Sequence, residues 1–169
     1  MYQVGDKILY GSNGACIIQE LTQMRFGRTR ELYYILRPMF QKTAVIYVPA
    51  KNEELILRMR PMPEKQEVDA MIKDLPDADE IWLDDAQERK NHYDEIMRDS
   101  DCFLHFRLIK TLFEHKKVRL ADGKNLHVSD ENFLREARKL ICDEFAYPLQ
   151  LEPAEVADYI TKQLGFNLF

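Results

Sequence analysis

A chain of 169 residues with 46% hydrophobic and 31% charged side chains has the composition of one ordinary folded domain or two small ones, not of a disordered tail. No apolar run reaches the roughly 18 to 20 residues needed to cross a bilayer. The greasiest stretch, Cys102 to Phe113, is interrupted by His105, Arg107 and Lys110, and no membrane contact is expected. The formal charge of -5 argues, as an average, against nucleic-acid binding, but an average hides an uneven distribution.

The chain opens Met1-Tyr2-Gln3-Val4-Gly5-Asp6 without a basic stretch leading into an apolar one, so a secretion signal is not expected and a cytoplasmic location is. Residues 2 to 58 read as short extended segments separated by turns. Lys7 to Tyr10 ends at the Gly11-Ser12-Asn13-Gly14 turn, and Ala15 to Leu21 resumes the strand pattern. Gly27 and Arg28 mark the next turn. Leu32 to Leu36 and Ala44 to Val48 are rich in aromatic and β-branched residues, Pro49 ends the pattern, and a helical stretch is expected only near Asn52 to Leu57. About five short strands in residues 1–60 predict a small SH3- or Tudor-like β-barrel, which reduces exposed strand edges.

From Pro61 onward the period changes to about 3.6 and glycine nearly vanishes. Residues 61–169 predict a bundle of about five helices, giving a two-domain α+β chain with a hinge at Arg58 to Pro63. The predicted helices run from Glu64 to Leu75 before Pro76, from about Asp79 to Arg98, and from Cys102 to Lys117, the last with an apolar face wide enough to be buried on two sides. Ser129 is a candidate cap for a fourth helix, carrying Phe133, Ala137, Leu140, Ile141 and Phe145, that ends at Pro148. Pro153 opens a fifth, carrying Val156, Ile160 and Leu164, with Gly165 just past its end.

Divided along the chain, the charge is +4 over residues 1 to 60, -9 over 61 to 101, +4 over 102 to 142 and -4 over 143 to 169. Positive charge outside the β unit thus gathers at Lys110, Lys116, Lys117, Arg119, Lys124, Arg135, Arg138 and Lys139, either a phosphate-facing surface or an ordinary solvated face. Cys16, Cys102 and Cys142 lack the spacing of a disulfide framework or zinc site and are expected to be buried thiols. The four histidines form no metal-ligand pattern. Ser12 does not sit in a nucleophile elbow, the adjacent carboxylates cannot share a helix face, and Gly123-Lys124 lacks the upstream glycine of a phosphate loop. A non-catalytic chain without cofactor or metal is expected.

Val4-Gly5-Asp6-Lys7-Ile8-Leu9-Tyr10, Asn13-Gly14-Ala15, Tyr33-Tyr34-Ile35-Leu36, Tyr47-Val48-Pro49-Ala50 and Asn52 together resemble the RNA-polymerase-interacting domain of CarD-family regulators, a pattern shared with transcription-repair coupling factors. Beyond it, Ser100-Asp101 and the Ala137-to-Ala146 helix resemble the CarD carboxyl domain. Gly11 and Asn13 stand where the family commonly has Pro and His, and both suit a turn. The resemblance implies a bacterial transcription regulator, expected as a monomer, that binds the RNA polymerase β subunit and modulates promoter open-complex formation or stability. It places Val45, Ile46 and Tyr47 toward polymerase with Arg25 nearby, and alternation predicts that one of Ile46 and Tyr47 points inward. It also implies promoter DNA contacts from the helical domain, by a tryptophan wedge and nearby cations. The family position of that tryptophan falls on Ala86, four residues after Trp82, the chain's one tryptophan. Trp82 is one turn away from the wedge position, yet it also continues the core stripe Ala86, Tyr93, Met97 and stands among Asp79, Glu80, Asp84 and Asp85. Arg89, Lys90, Arg107 and Lys110 are the candidate DNA contacts beside it. The alternative is a polymerase-docked adaptor whose acidic helical part recruits a protein.

Overall fold

The computed structural model of the chain describes residues 2–26, 29–41 and 43–169. Strands β1 (Lys7–Tyr10), β2 (Ala15–Phe26), β3 (Thr29–Pro38) and β4 (Ile46–Pro49) are followed by a short helix α1 (Glu53–Leu57) and strand β5 (Met59–Pro61). They form one antiparallel sheet in the order β4-β3-β2-β1-β5. The expected barrel is met as an open sheet: β4 and β5 are its two edges, and no pairing joins them among the described residues. The turn expected at Gly27 and Arg28 lies outside the described residues. A register shift between Ile18 and Glu20 bends β2 against β3 and curls the sheet around Ile8, Tyr10, Cys16, Ile18, Tyr34, Leu36, Val48 and Met59.

The stretch expected as a hinge is β5. Met59 is buried and Arg60 stands opposite Leu9 in the ladder with β1, while Pro61 is tolerated because this is an edge strand. Asn52 caps α1 by accepting a hydrogen bond from the Leu55 N–H (3.1 Å).

Five helices follow: α2 (Lys65–Asp74), α3 (Ala86–Arg98), α4 (Cys102–Ala121), α5 (Val128–Leu149) and α6 (Pro153–Leu164). Here α3 corrects the expected start at Asp79. The Asp85 carboxylate accepts from the Gln87 and Glu88 N–H groups and so begins the helix at Ala86. Residues 79–85 run non-helically, because the Asp85 carboxylate satisfies backbone donors better as a cap than inside a helix. In α5 the cap position is His127 instead of Ser129, and Pro148 lies within the last turn, which ends on Gln150 in the left-handed conformation (φ 57). Pro153 opens α6 and Gly165, at φ 76, closes it. As its wide apolar face implied, α4 is central, burying Phe106, Leu108, Ile109 and Leu112 between its neighbours. Cys16 and Cys102 are buried, Cys142 half-buried, and burial pushes the thiols of Cys16 and Cys142 up to about 12 and about 11.

Strand β1 serves both halves. Its alternation sends Ile8 and Tyr10 into the sheet's own core and Leu9, with Ala15, into the helical core. Close approach at this junction requires glycine: at Gly11 (φ +46) a Cβ would stand 2.9 Å from the Arg98 carbonyl oxygen, and at Gly14 (φ +64) 3.1 Å from Leu140 Cδ1. The buried Ser100 hydroxyl accepts from the Gly11 N–H (2.7 Å) and donates to the Arg58 carbonyl. The Lys7 ammonium lies over the Tyr147 ring (4.9 Å).

Beneath this junction α4 and α5 bury His105 and Glu144 together, His105 Nδ1 standing 3.6 Å from Glu144 Oε2 and Nε2 3.0 Å from the Ile96 carbonyl. Neither Nδ1 nor either carboxylate oxygen has a hydrogen-bond partner among the described residues. Desolvation raises the Glu144 pKa against the opposing pull of His105. Desolvation also pulls His105 down, but Glu144 and the Ile96 carbonyl outweigh it, and its pKa is raised too. Folding therefore retains protons that the unfolded chain releases, and the stability so contributed is lost as pH rises from the ordinary Glu value of 4.5 through the ordinary His value of 6.5. Glu144→Gln removes the carboxylate and leaves His105 to the lowering effect of burial. Between about pH 4.5 and 8 the difference in unfolding free energy should move steadily in the variant's favour, measured by urea midpoints. Parallel pH profiles for the two proteins would show that the pair carries no such linkage.

Candidate polymerase and nucleic-acid interfaces

Strand β4 hydrogen-bonds to β3 along one side only, in the register Tyr33 to Pro49 through Leu36 to Ile46. Its outer side is therefore a sheet edge. Val48 is buried, Ile46 is half-buried against the sheet's core, and Tyr47 is 49% exposed on the other face, which is the predicted alternation. Val45 is half-buried just before the strand. Arg25 is exposed and stands opposite Arg30 near the β2–β3 hairpin end, beyond the last β3 position that β4 covers.

The residues picked out in the helical half meet in a different way. Trp82 precedes α3 and is half-buried, with its ring stacked on His115 of α4 at a centroid separation of 3.7 Å and an interplanar angle of 6°. The Arg89 guanidinium carbon lies 4.0 Å from the same ring centre. Two planar groups that close to one centroid would overlap on a single face, so the indole is held between them. Arg89 is itself buried: its guanidinium donates to both Asp130 carboxylate oxygens (3.2 and 2.9 Å) and to the Leu83 and Asp84 carbonyls (2.6 and 3.2 Å).

Arg107 donates to the Asp79 carbonyl (3.2 and 3.0 Å), and the Lys110 ammonium to the carbonyls of Pro76 and Ala78 (2.8 and 2.7 Å). The Thr111 hydroxyl accepts from the Ile81 N–H (3.2 Å), and His115 Nε2 is 3.3 Å from Glu80. Residues 76–85 are thus an acidic strap laid along α4, with Trp82 pinned at its far end. Lys90 is exposed on α3. Of the candidate cations, Arg107 and Lys110 lie together on α4, Arg89 lies in the interior, and Lys90 stands apart from both. Nothing in the spacing marked His115 or Asp130 as partners of Trp82 and Arg89, because Asp130 is 41 residues from Arg89 and no periodicity spans such a gap.

Residues 2–62 match the family model of the CarD-like/TRCF RID domain, a span that closes just after β5. The chain therefore carries a CarD-like/TRCF RID domain, and an RNA-polymerase-interacting role follows for the sheet. No curated protein matches the chain. Among the described residues no helix is long and apolar enough to cross a membrane.

Arg89→Ala strands the Asp130 carboxylate in the interior, and about 3–5 kcal/mol of stability should be lost in urea titration. Trp82, the one tryptophan, should shift its emission to the red in the same variant. Replacing Arg89 by Met together with Asp130 by Leu should recover most of the stability but not the stacked environment of Trp82.

Proposed function

We propose that the chain is a non-enzymatic bacterial transcription regulator that docks on the RNA polymerase β subunit and modulates promoter open-complex formation or stability. The observation that carries this is the β4 edge, with Tyr47 turned outward, in a unit matched as a CarD-like/TRCF RID domain. A free edge can extend a partner's sheet, main-chain hydrogen bonds giving affinity and alternate side chains such as Val45 and Tyr47 giving selectivity. Arg25, at the hairpin end, supplies a charge for the same partner. The helical half then reaches promoter DNA through cations, with Arg107 and Lys110 on the face of α4 better placed than the interior Arg89.

A second reading is favoured by the strap. Asp79, Glu80, Asp84, Asp85 and Glu88 are all exposed around Trp82, a field that repels phosphate and suits a basic protein partner recruited by a polymerase-bound adaptor.

Pull-down of polymerase β tests the docking: Ile46→Glu and Tyr47→Ala should each weaken capture at least tenfold, and undiminished capture by both would remove the docking surface. In a promoter-opening assay with holoenzyme, Arg107→Glu with Lys110→Glu should change open-complex lifetime more than Trp82→Ala does. Loss of opening control by Trp82→Ala alone, with the folded fraction unchanged, would return the tryptophan to a DNA-wedging role.

A further inference from the structure

Where β5 passes into α2, the chain and the first turn of α4 enclose a groove of about 820 Å³ that is open to solvent. Its floor is Leu9 and Cys102, both buried, and burial raises the pKa of the Cys102 thiol, so the floor carries no charge. Met62, Met71 and Phe103 are half-buried: each packs against the helical core and keeps part of its side chain in the groove. Unbranched thioether side chains beside an aromatic ring adapt to apolar partners of varied shape. The rim is acidic. Glu64 and Glu67 precede Met71 at helical spacing on one face of α2, Asp101 stands at the start of α4, and all three carboxylates are exposed. Among the described residues lining the groove the one cation is Arg60, which is paired with Asp99 (3.6 Å). Lys65 lines a neighbouring hollow with Tyr147 and Pro148 instead.

We infer that this groove docks an amphipathic helix of a protein partner, with its apolar stripe on Met62, Met71 and Phe103 and its flanking Lys or Arg side chains on Glu64, Glu67 and Asp101. Main-chain chemistry decides for a helix over a strand. Pro61 and Pro63 have no N–H to donate, and the carbonyls of Arg58 and Met59 already accept from the Ser100 and Tyr2 hydroxyls, so an added strand would find few partners along β5. A helix satisfies its own backbone and asks the groove only for apolar contact and charge. Charge decides which helix. Three carboxylates around a neutral apolar floor repel an acidic segment and pair with cations on either flank of an apolar stripe. None of the lining residues belongs to β4 or to the strap of residues 76–85, so the inference stands apart from polymerase docking and from either reading of the helical half.

The probe is a panel of fluorescent synthetic peptides of about 18 residues, long enough to form a helix, with Leu, Phe or Met at helical spacing and Lys on both flanks. Anisotropy with the full chain should show binding that weakens with salt. Peptides with Glu in place of Lys, or with a central Pro that breaks the helix, should bind at least tenfold more weakly. Met71→Glu with Phe103→Glu should weaken binding at least tenfold. Glu67→Gln with Asp101→Asn keeps both capping acceptors and so the fold, and should weaken binding several-fold while flattening its salt dependence. Tyr47→Ala should bind as the parent does. In protein with isotope-labelled methionine methyls, peptide should move the Met62 and Met71 signals and leave those of Met24 and Met97 in place. Equal binding of the acidic or proline-broken peptides would overturn the inference, as would a panel that leaves Met62 and Met71 unmoved. Self-association of the parent in sedimentation, removed by Met71→Glu with Phe103→Glu, would make a second copy the occupant and overturn it too.

Discussion

The arrangement depends on a strand that is buried on both faces. In β1, Leu9 enters the helical core while Ile8 and Tyr10 enter the sheet's own core, so the strand belongs to two hydrophobic interiors at once. That is possible only where backbones come close, and Gly11 and Gly14 permit it against Arg98 and Leu140. Ser100 then satisfies the polar groups that close approach would strand, accepting from Gly11 and donating to Arg58. A hinge would have left the halves free to reorient. Instead Leu9 and Ala15 share one interior with α2 to α6, so the β4 edge stands in a fixed relation to the helices.

The same economy governs charge. The acidic strap would repel itself if it lay free in water, but the cations of α4 hold it by its carbonyls, and Arg89 ties its end to Asp130 in the interior. A buried guanidinium fully occupied by carboxylate and carbonyl oxygens, with an indole over its face, is an anchoring group. It holds Trp82 between Arg89 and His115. Net charge by segment separated the acidic run from the cationic stretch that follows it, but not that the α4 cations hold the run by its main-chain carbonyls.

Much of the fold was legible because periodicity is a local property. The change from period two to 3.6 near Pro61, the Pro153 start and Gly165 end of α6, and the two-sided face of α4 are all written in short windows of sequence. Strand β5 was not legible: three residues ending in proline look like a linker, and only their pairing with Ile8, Leu9 and Tyr10 makes them a strand. The start of α3 failed for a related reason, since the four residues from Trp82 to Ala86 keep helical spacing while Asp85 prefers to cap. At the candidate sites, alternation along β4 separated Tyr47 from Ile46 correctly. The surroundings of Trp82 depend on contacts tens of residues away, which no spacing rule reaches.

Helix α5 connects these features mechanically. Its 22 residues span about 33 Å as a nearly rigid rod. Near its carboxyl end it receives Gly14, Lys7 and the buried His105–Glu144 pair, and near its start it supplies Asp130 to Arg89. An element of that stiffness converts the attachment of the sheet at one end into a defined reach at the other. Surfaces on a single rod do not need a flexible linker to act together, because the distance between them is set by helical rise. This gives the burial of Glu144 a physical context: its carboxylate costs desolvation at the point where the rod meets the sheet, and the facing His105 ring offsets part of that cost.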